Sequence, residues 1–207
     1  MTADAEQHGP AIAVVGAGLR GTAYARRIRG TGRGRVVAVA EPDPVRRRRF
    51  AAEHRIPPER VFTDWREPAA AGDARTAVRL ADGAVIATQD AEHAEPAVRP
   101  AGQGSHILLE KPMATTETDA ERVVAAAERA GVMLAVCHVL RYTPYTRTFR
   151  RLVAGGRIGT PVSVQHLEPV GWSPTTPPRR VCAGHCAKDP TGAACTRATT
   201  TWSTTRW

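Results

Sequence analysis

Ile12-Ala13-Val14-Val15-Gly16-Ala17-Gly18-Leu19-Arg20-Gly21 is an apolar run that breaks into a G-x-G-x-x-G pattern. Residues 11–15 have the length and composition of a buried strand, and a helical pattern follows over residues 22–28. Between a strand and a helix each glycine has its own task. Gly16 makes the tight turn, Gly18 lets the backbone approach a pyrophosphate, and Gly21 lets the helix pack closely on the sheet. The diphosphate then rests on the helix N-terminus at Gly18, Leu19, Arg20 and Gly21. A structural turn and an S-adenosylmethionine site are the competing readings. Supporting the dinucleotide reading is Glu41, 20 residues past Gly21, at the end of a second apolar run over residues 36–40. There a carboxylate can accept hydrogen bonds from ribose hydroxyls.

Glu41 points to NAD, because a carboxylate at that position repels a 2′-phosphate. Arg46 and Arg47 follow closely enough to reach such a phosphate if turned inward, which keeps NADP open. The plainer reading of Arg46–Arg49 is an exposed helix face.

Working outward, apolar runs at 84–87, 107–109 and 133–136 read as further strands, with helical stretches at 45–54, 96–103 and 117–130. Thr115 or Thr116 caps the last helix, Glu117 and Asp119 sit in its first turn, and Gly131 follows its end. Short apolar runs alternating with helices are the mark of a doubly wound parallel sheet of Rossmann type, an α/β fold. That domain is expected over 11–140, after a disordered N-terminus at 1–10. A helix at 145–153 and an alternating strand at 162–167 then read as the start of a second, α+β domain over 141–172, left incomplete.

The chain has 207 residues, enough for one full domain and part of another. A net charge of +9 invites a nucleic-acid reading, but the basic residues are nearly all arginines scattered through Ala-rich helical stretches, so no nucleic-acid partner is expected. No apolar stretch is long enough to span a membrane, and the N-terminus lacks the basic-then-apolar order of a secretory signal. The expected location is cytoplasmic.

Beyond the fingerprint, the chain carries Val85-Ile86-Ala87-Thr88-Gln89-Asp90 followed by His93 and Pro96. It then has Glu110-Lys111-Pro112, Cys137-His138-Val139-Leu140-Arg141-Tyr142-Thr143-Pro144 and Gly156-Arg157-Ile158-Gly159. In this order and spacing the motifs resemble the Gfo/Idh/MocA oxidoreductases, the glucose–fructose oxidoreductase and inositol dehydrogenase group, from about residue 11 to 172. The resemblance implies hydride transfer between nicotinamide and a sugar, inositol or related polyol, and a homo-oligomeric full-length form. It implies that Ala87, Thr88 and Asp90 line the nicotinamide side with His93 nearby, and that Glu110 contacts the cofactor ribose. Arg141 is implied near the cofactor and substrate pocket, and Lys111 as the catalytic lysine that helps move the proton of the reacting hydroxyl. A non-enzymatic dinucleotide-binding protein is the alternative.

The lysine reading has independent support. Oxidising a carbinol removes a proton from oxygen while hydride leaves carbon, and a desolvated lysine can relay that proton. Lys111 is the only lysine in the first 187 residues of a chain otherwise rich in arginine. Arginine could not substitute, because its guanidinium stays protonated.

Residues 173–207 depart from this pattern. They contain no Leu, Ile, Met, Phe or Tyr, yet nine threonines and three of the four cysteines. Such a segment cannot build a core. It is expected to be an aberrant tail, disordered or frameshifted, in a product truncated after about residue 172 and inactive if so. Cys182, His185, Cys186 and Cys195 lack standard zinc spacing, so no metal is expected.

Overall fold

The computed structural model describes residues 9–67 and 80–163. Six strands form one parallel sheet: β1 (Ala11–Val15), β2 (Arg35–Ala40), β3 (Val61–Phe62), β4 (Gly83–Ile86), β5 (His106–Leu109) and β6 (Leu134–Val136). Their order across the sheet is β3-β2-β1-β4-β5-β6. The helices are α1 (Leu19–Thr31), α2 (Pro44–His54), α3 (Ala94–Gly102), α4 (Glu117–Ala130) and α5 (Pro144–Ala154). The expected Rossmann-type sheet is present. β3 had no expectation behind it, since two residues are too few to show a period.

The strands are apolar nearly throughout because helices cover both faces of the sheet. On one face Val14, Val36, Val39 and Val85 pack with Ala25 of α1 and Phe50 of α2. On the other, Ala84, Ile86, Ile107 and Leu109 pack with Ala97 and Ala101 of α3 and with Val123 and Ala126 of α4. Alanines on the helices bring them close to the sheet, which compensates for the scarcity of aromatic side chains. Each buried Val, Leu or Ile contributes about 1.5–3 kcal/mol.

Local chemistry sets the helix ends. The Asp43 carboxylate accepts the N–H groups of Val45 and Arg46, and Pro44 opens α2. The Thr116 hydroxyl accepts the Asp119 N–H, and Gly131 closes α4 at φ 63°. α1 begins directly at Leu19, three residues earlier than the sequence pattern implies, because Gly18 itself serves as its N-cap. Pro10 falls within the expected disordered leader, but its carbonyl accepts the Arg35 N–H at 3.0 Å and so extends the β1–β2 pairing.

From β1 the chain winds one way to β2 and β3, then crosses over and winds the other way through β4, β5 and β6. That reversal leaves a crevice outside the carboxyl ends of β1 and β4, where open α/β sheets bind ligands.

The chain divides into two compact units after Tyr142. In the second, Thr143 caps α5 by accepting the Thr146 N–H, and the rings of Tyr145 and Phe149 stack with centroids 6.4 Å apart. Of the strand expected at 162–167, only Val162 and Ser163 are described, and neither is in a strand. The leader up to residue 8 and the tail at 173–207 lie outside the described residues.

Candidate functional site

The glycine-rich loop shows three different demands at its three glycines. Gly16 has φ +91°, and its N–H donates to the Ala40 carbonyl at 2.8 Å. A Cβ on Gly16 would strike the Ala87 carbonyl, and one on Gly21 would strike the Gly16 carbonyl. At Gly18 a Cβ would meet no atom within 4 Å. Two glycines are therefore required by the protein's own packing. The third keeps open a space that the protein does not fill, directly at the N-terminus of α1, as an approaching diphosphate requires.

Glu41 is buried, with each carboxylate oxygen held by a backbone N–H: Ala17 donates to Oε2 at 2.8 Å and Asp43 to Oε1 at 3.0 Å. Each oxygen retains a second acceptor site. The side chain is fixed where ribose hydroxyls would come, at the end of β2. Its neighbours in the Arg run behave differently from one another. Arg47 turns back to the Glu41 and Pro42 carbonyls, at 2.6 and 2.9 Å. Arg46 lines the adjoining cleft.

That cleft, of about 400 Å³, lies at the switch point. It brings together Gly16, Gly18, Glu41, Ala87 and Thr88. Its far wall was not foreseen: Asp64, Trp65 and Arg66 on the loop after β3, Glu92 and Glu95 around the start of α3, and Asp119 of α4. Five carboxylates (Glu41, Asp64, Glu92, Glu95, Asp119) thus face two guanidinium groups, Arg46 and Arg66. Arg122 pairs with both Glu95 and Asp119. A chain with a net charge of +9 has a cleft richer in acids than in bases.

The other expected site residues lie outside this cleft. Leu19 and Arg20 are exposed at the first turn of α1. Asp90 is exposed on a 3-10 turn after β4, and Arg141 on another after β6. Lys111 is exposed as well, not desolvated among the described residues. His93 is fully buried, and its Nδ1 donates to the Pro112 carbonyl at 2.7 Å, while its Nε2 is buried without a partner. The ring therefore supports the segment that carries Lys111, whose Lys111–Pro112 peptide is cis.

Glu110 is likewise engaged by the protein. Its Oε1 accepts the Tyr24 hydroxyl at 2.6 Å, its Oε2 accepts the Lys111 N–H at 3.0 Å, and Arg20 Nε lies 3.9 Å away. Burial first, then hydrogen bonding with Cys137 and Glu110, pushes the Tyr24 phenol far above its usual range. Burial also raises the Cys137 thiol, against the opposing pull of Tyr24. Sequence reasoning missed Tyr24, which belongs to no motif and meets Glu110 only through the packing of α1 on the sheet.

Among the described residues no three His, Cys, Asp or Glu side chains cluster as for a metal ion, and no helix is long and apolar enough to cross a membrane.

The comparisons with known proteins agree with this geometry. Residues 11–138 match the Gfo/Idh/MocA model, described as an oxidoreductase family with an NAD-binding Rossmann fold. The inositol 2-dehydrogenase 1 of Saccharopolyspora erythraea is 35% identical over 162 residues, covering 74% of this chain and 44% of that one. The 1,5-anhydro-D-fructose reductase of Ensifer adhaerens is 37% identical over 93 residues, covering 45% and 28%. Among solved structures, the WlbA dehydrogenase from Bordetella pertussis, in complex with NADH and UDP-GlcNAcA, superposes with a TM-score of 0.64 at 27% identity, over 73% of this chain and 44% of that one. The chain spans less than half the length of these relatives. With the fingerprint loop, the switch-point cleft and a family match over more than half its residues, this chain belongs to the Gfo/Idh/MocA oxidoreductases.

Proposed function

We propose that the chain is an NAD(H)-dependent oxidoreductase that moves hydride between nicotinamide and a carbinol carbon of a sugar, inositol or related polyol. The observation that carries this reading is the open approach at Gly18 beside the fixed carboxylate of Glu41, in one cleft at the switch point. Gly16, Gly18 and Gly21, with the first turn at Leu19 and Arg20, hold the diphosphate, and Glu41 holds the adenosine ribose. Five carboxylates around the cleft favour NAD over NADP, whose extra phosphate would be repelled. Two relatives are named for a reductase of an anhydro-sugar and a dehydrogenase of inositol, which supports the substrate class.

When bound, the nicotinamide supplies the hydride acceptor. Lys111 takes up the hydroxyl proton, and His93 and Glu110 hold its segment in place through Pro112 and the Lys111 N–H. Ala87, Thr88 and Asp90 continue the cofactor path beyond β4, and Arg141 stands by on the loop after β6. A homo-oligomeric full-length form and a cytoplasmic location belong to the same proposal.

A second reading, dinucleotide binding without turnover, has one observation in its favour: Lys111 is exposed and lies outside the cleft. One experiment separates the two. NADH is titrated by its fluorescence, and NAD+ reduction is then followed with a panel of inositols and sugars. Saturable binding with turnover supports the oxidoreductase, and saturable binding alone supports the second reading. Absence of NADH binding refutes both.

A further inference from the structure

The loop after β3 contains an assembly that no motif accounts for. Trp65 packs against the core cluster that includes Ala40 and Phe62. Over its ring lies the Arg66 guanidinium, with Cζ 4.3 Å from the centroid. Asp64 clamps that guanidinium from the side, accepting Nη1 at 3.2 Å on Oδ1 and 2.9 Å on Oδ2. Asp64 Oδ1 also accepts the Arg66 N–H at 2.7 Å, and the Asp64 N–H is tied to Glu67 at 3.0 Å. Surface arginines normally sample many rotamers, and fixing one costs entropy. Here a cation–π contact and the two Asp64 oxygens on Nη1 restrict the guanidinium in advance, although Arg66 itself is exposed.

The strand order places this assembly relative to the cofactor. Gly16 and Gly18 follow β1, Glu41 closes β2, and Asp64–Arg66 follow β3, the next strand outward. A nucleotide running from diphosphate to ribose along the first two has its base directed toward the third. Trp65 and Arg66 both line the same cleft as Gly18 and Glu41. The Trp65 ring is already occupied by the core and by Arg66. The flat surface left for a base is the guanidinium.

We propose that Arg66 is the stacking plate for the adenine ring, held flat by Trp65 and Asp64, a reading that rests on dinucleotide binding in the cleft. A guanidinium plane stacks on a base through its delocalised face. This role needs the plane, not merely the charge, and lysine cannot supply it.

The test is competition against NADH fluorescence by AMP and by ribose 5-phosphate, in the wild type, Arg66→Ala and Arg66→Lys. AMP carries the base and ribose 5-phosphate does not. Both substitutions are expected to weaken AMP and NADH on the order of tenfold and leave ribose 5-phosphate unchanged. Arg66 is exposed, and matched thermal melts establish that all three proteins are folded. If Arg66→Lys keeps wild-type AMP affinity, the residue acts by charge and the proposal is overturned. It is equally overturned if ribose 5-phosphate weakens in parallel with AMP, or if Arg66→Ala changes neither. A folded wild type that binds neither AMP nor NADH would instead refute the dinucleotide reading of the cleft itself.

Discussion

Tyr24 on α1 donates its hydroxyl to Glu110 at the end of β5, with 2.6 Å between oxygens and 86 positions between residues. The bond joins the helix that starts at the glycine loop to the residue beside Lys111. Tyr24 has its ionisation pushed far upward by burial and by its neighbours Cys137 and Glu110, so it remains a donor throughout the physiological range. Tyr24→Phe leaves a buried carboxylate oxygen without that donor. The expected loss is roughly 1–2 kcal/mol of folding stability, read from the denaturant midpoint. An unchanged midpoint would show that water or Arg20 replaces the bond at no cost.

The fingerprint glycines separate folding from binding. Gly21→Ala forces a Cβ into the Gly16 carbonyl, so it should lower the melting temperature and NADH affinity together. Gly18→Ala meets nothing in the protein, so its melt should match the wild type while NADH affinity falls. Equal NADH affinity in folded Gly18→Ala would remove the diphosphate from that position.

If the chain turns over a polyol, Lys111→Met should leave NADH affinity near wild type and cut turnover by about 10²–10⁴-fold. Lys111→Arg should fail to restore it, because guanidinium does not release its proton at working pH. Restoration by arginine would assign Lys111 a purely electrostatic role.

Stability should fall on the acid side in two stages. His54 has its pKa lowered from 6.5, chiefly by burial, with Glu53 opposing and Arg29 and Arg26 assisting. As pH drops below about 6.5 the unfolded chain takes up this proton first, so stability declines until the folded His54 is protonated too. Asp43 and Glu53 are shifted down from 3.8 and 4.5, Asp43 by the Arg46 and Val45 N–H groups and Glu53 by the Arg26 guanidinium. Their contribution is present above those ordinary values and disappears as pH falls through the lower, folded ones. Denaturant midpoints measured across pH in the wild type and His54→Gln check the assignment. The substitution should abolish the upper stage and spare the lower.

What could be read from the chain follows the range over which each feature is encoded. Gly16, Gly18, Gly21 and Glu41 were legible because strand, turn and helix must succeed one another at fixed spacing for that loop to form at all. Ala87 and Thr88 came from the family resemblance, and the cleft includes both. The wall made by Trp65, Arg66 and Asp119 was not legible, since it joins a loop after a two-residue strand to the first turn of a helix more than 50 positions away. Arg46 and Arg47 show the same limit at closest range. They are neighbours in sequence, yet helix phase directs one into the cleft and the other back onto the Glu41 and Pro42 carbonyls. His93 stood out from the resemblance, but its partner is a main-chain oxygen 19 residues on, and no side-chain pattern encodes that.

Every residue that lines the cleft falls between Val15 and Asp119, inside the unit that closes at Tyr142. The cleft can therefore be inherited as a single block. Recombination or drift downstream of Tyr142 need not disturb the grip on a dinucleotide, so new chemistries can be tried in descendants without reinventing the coenzyme's berth.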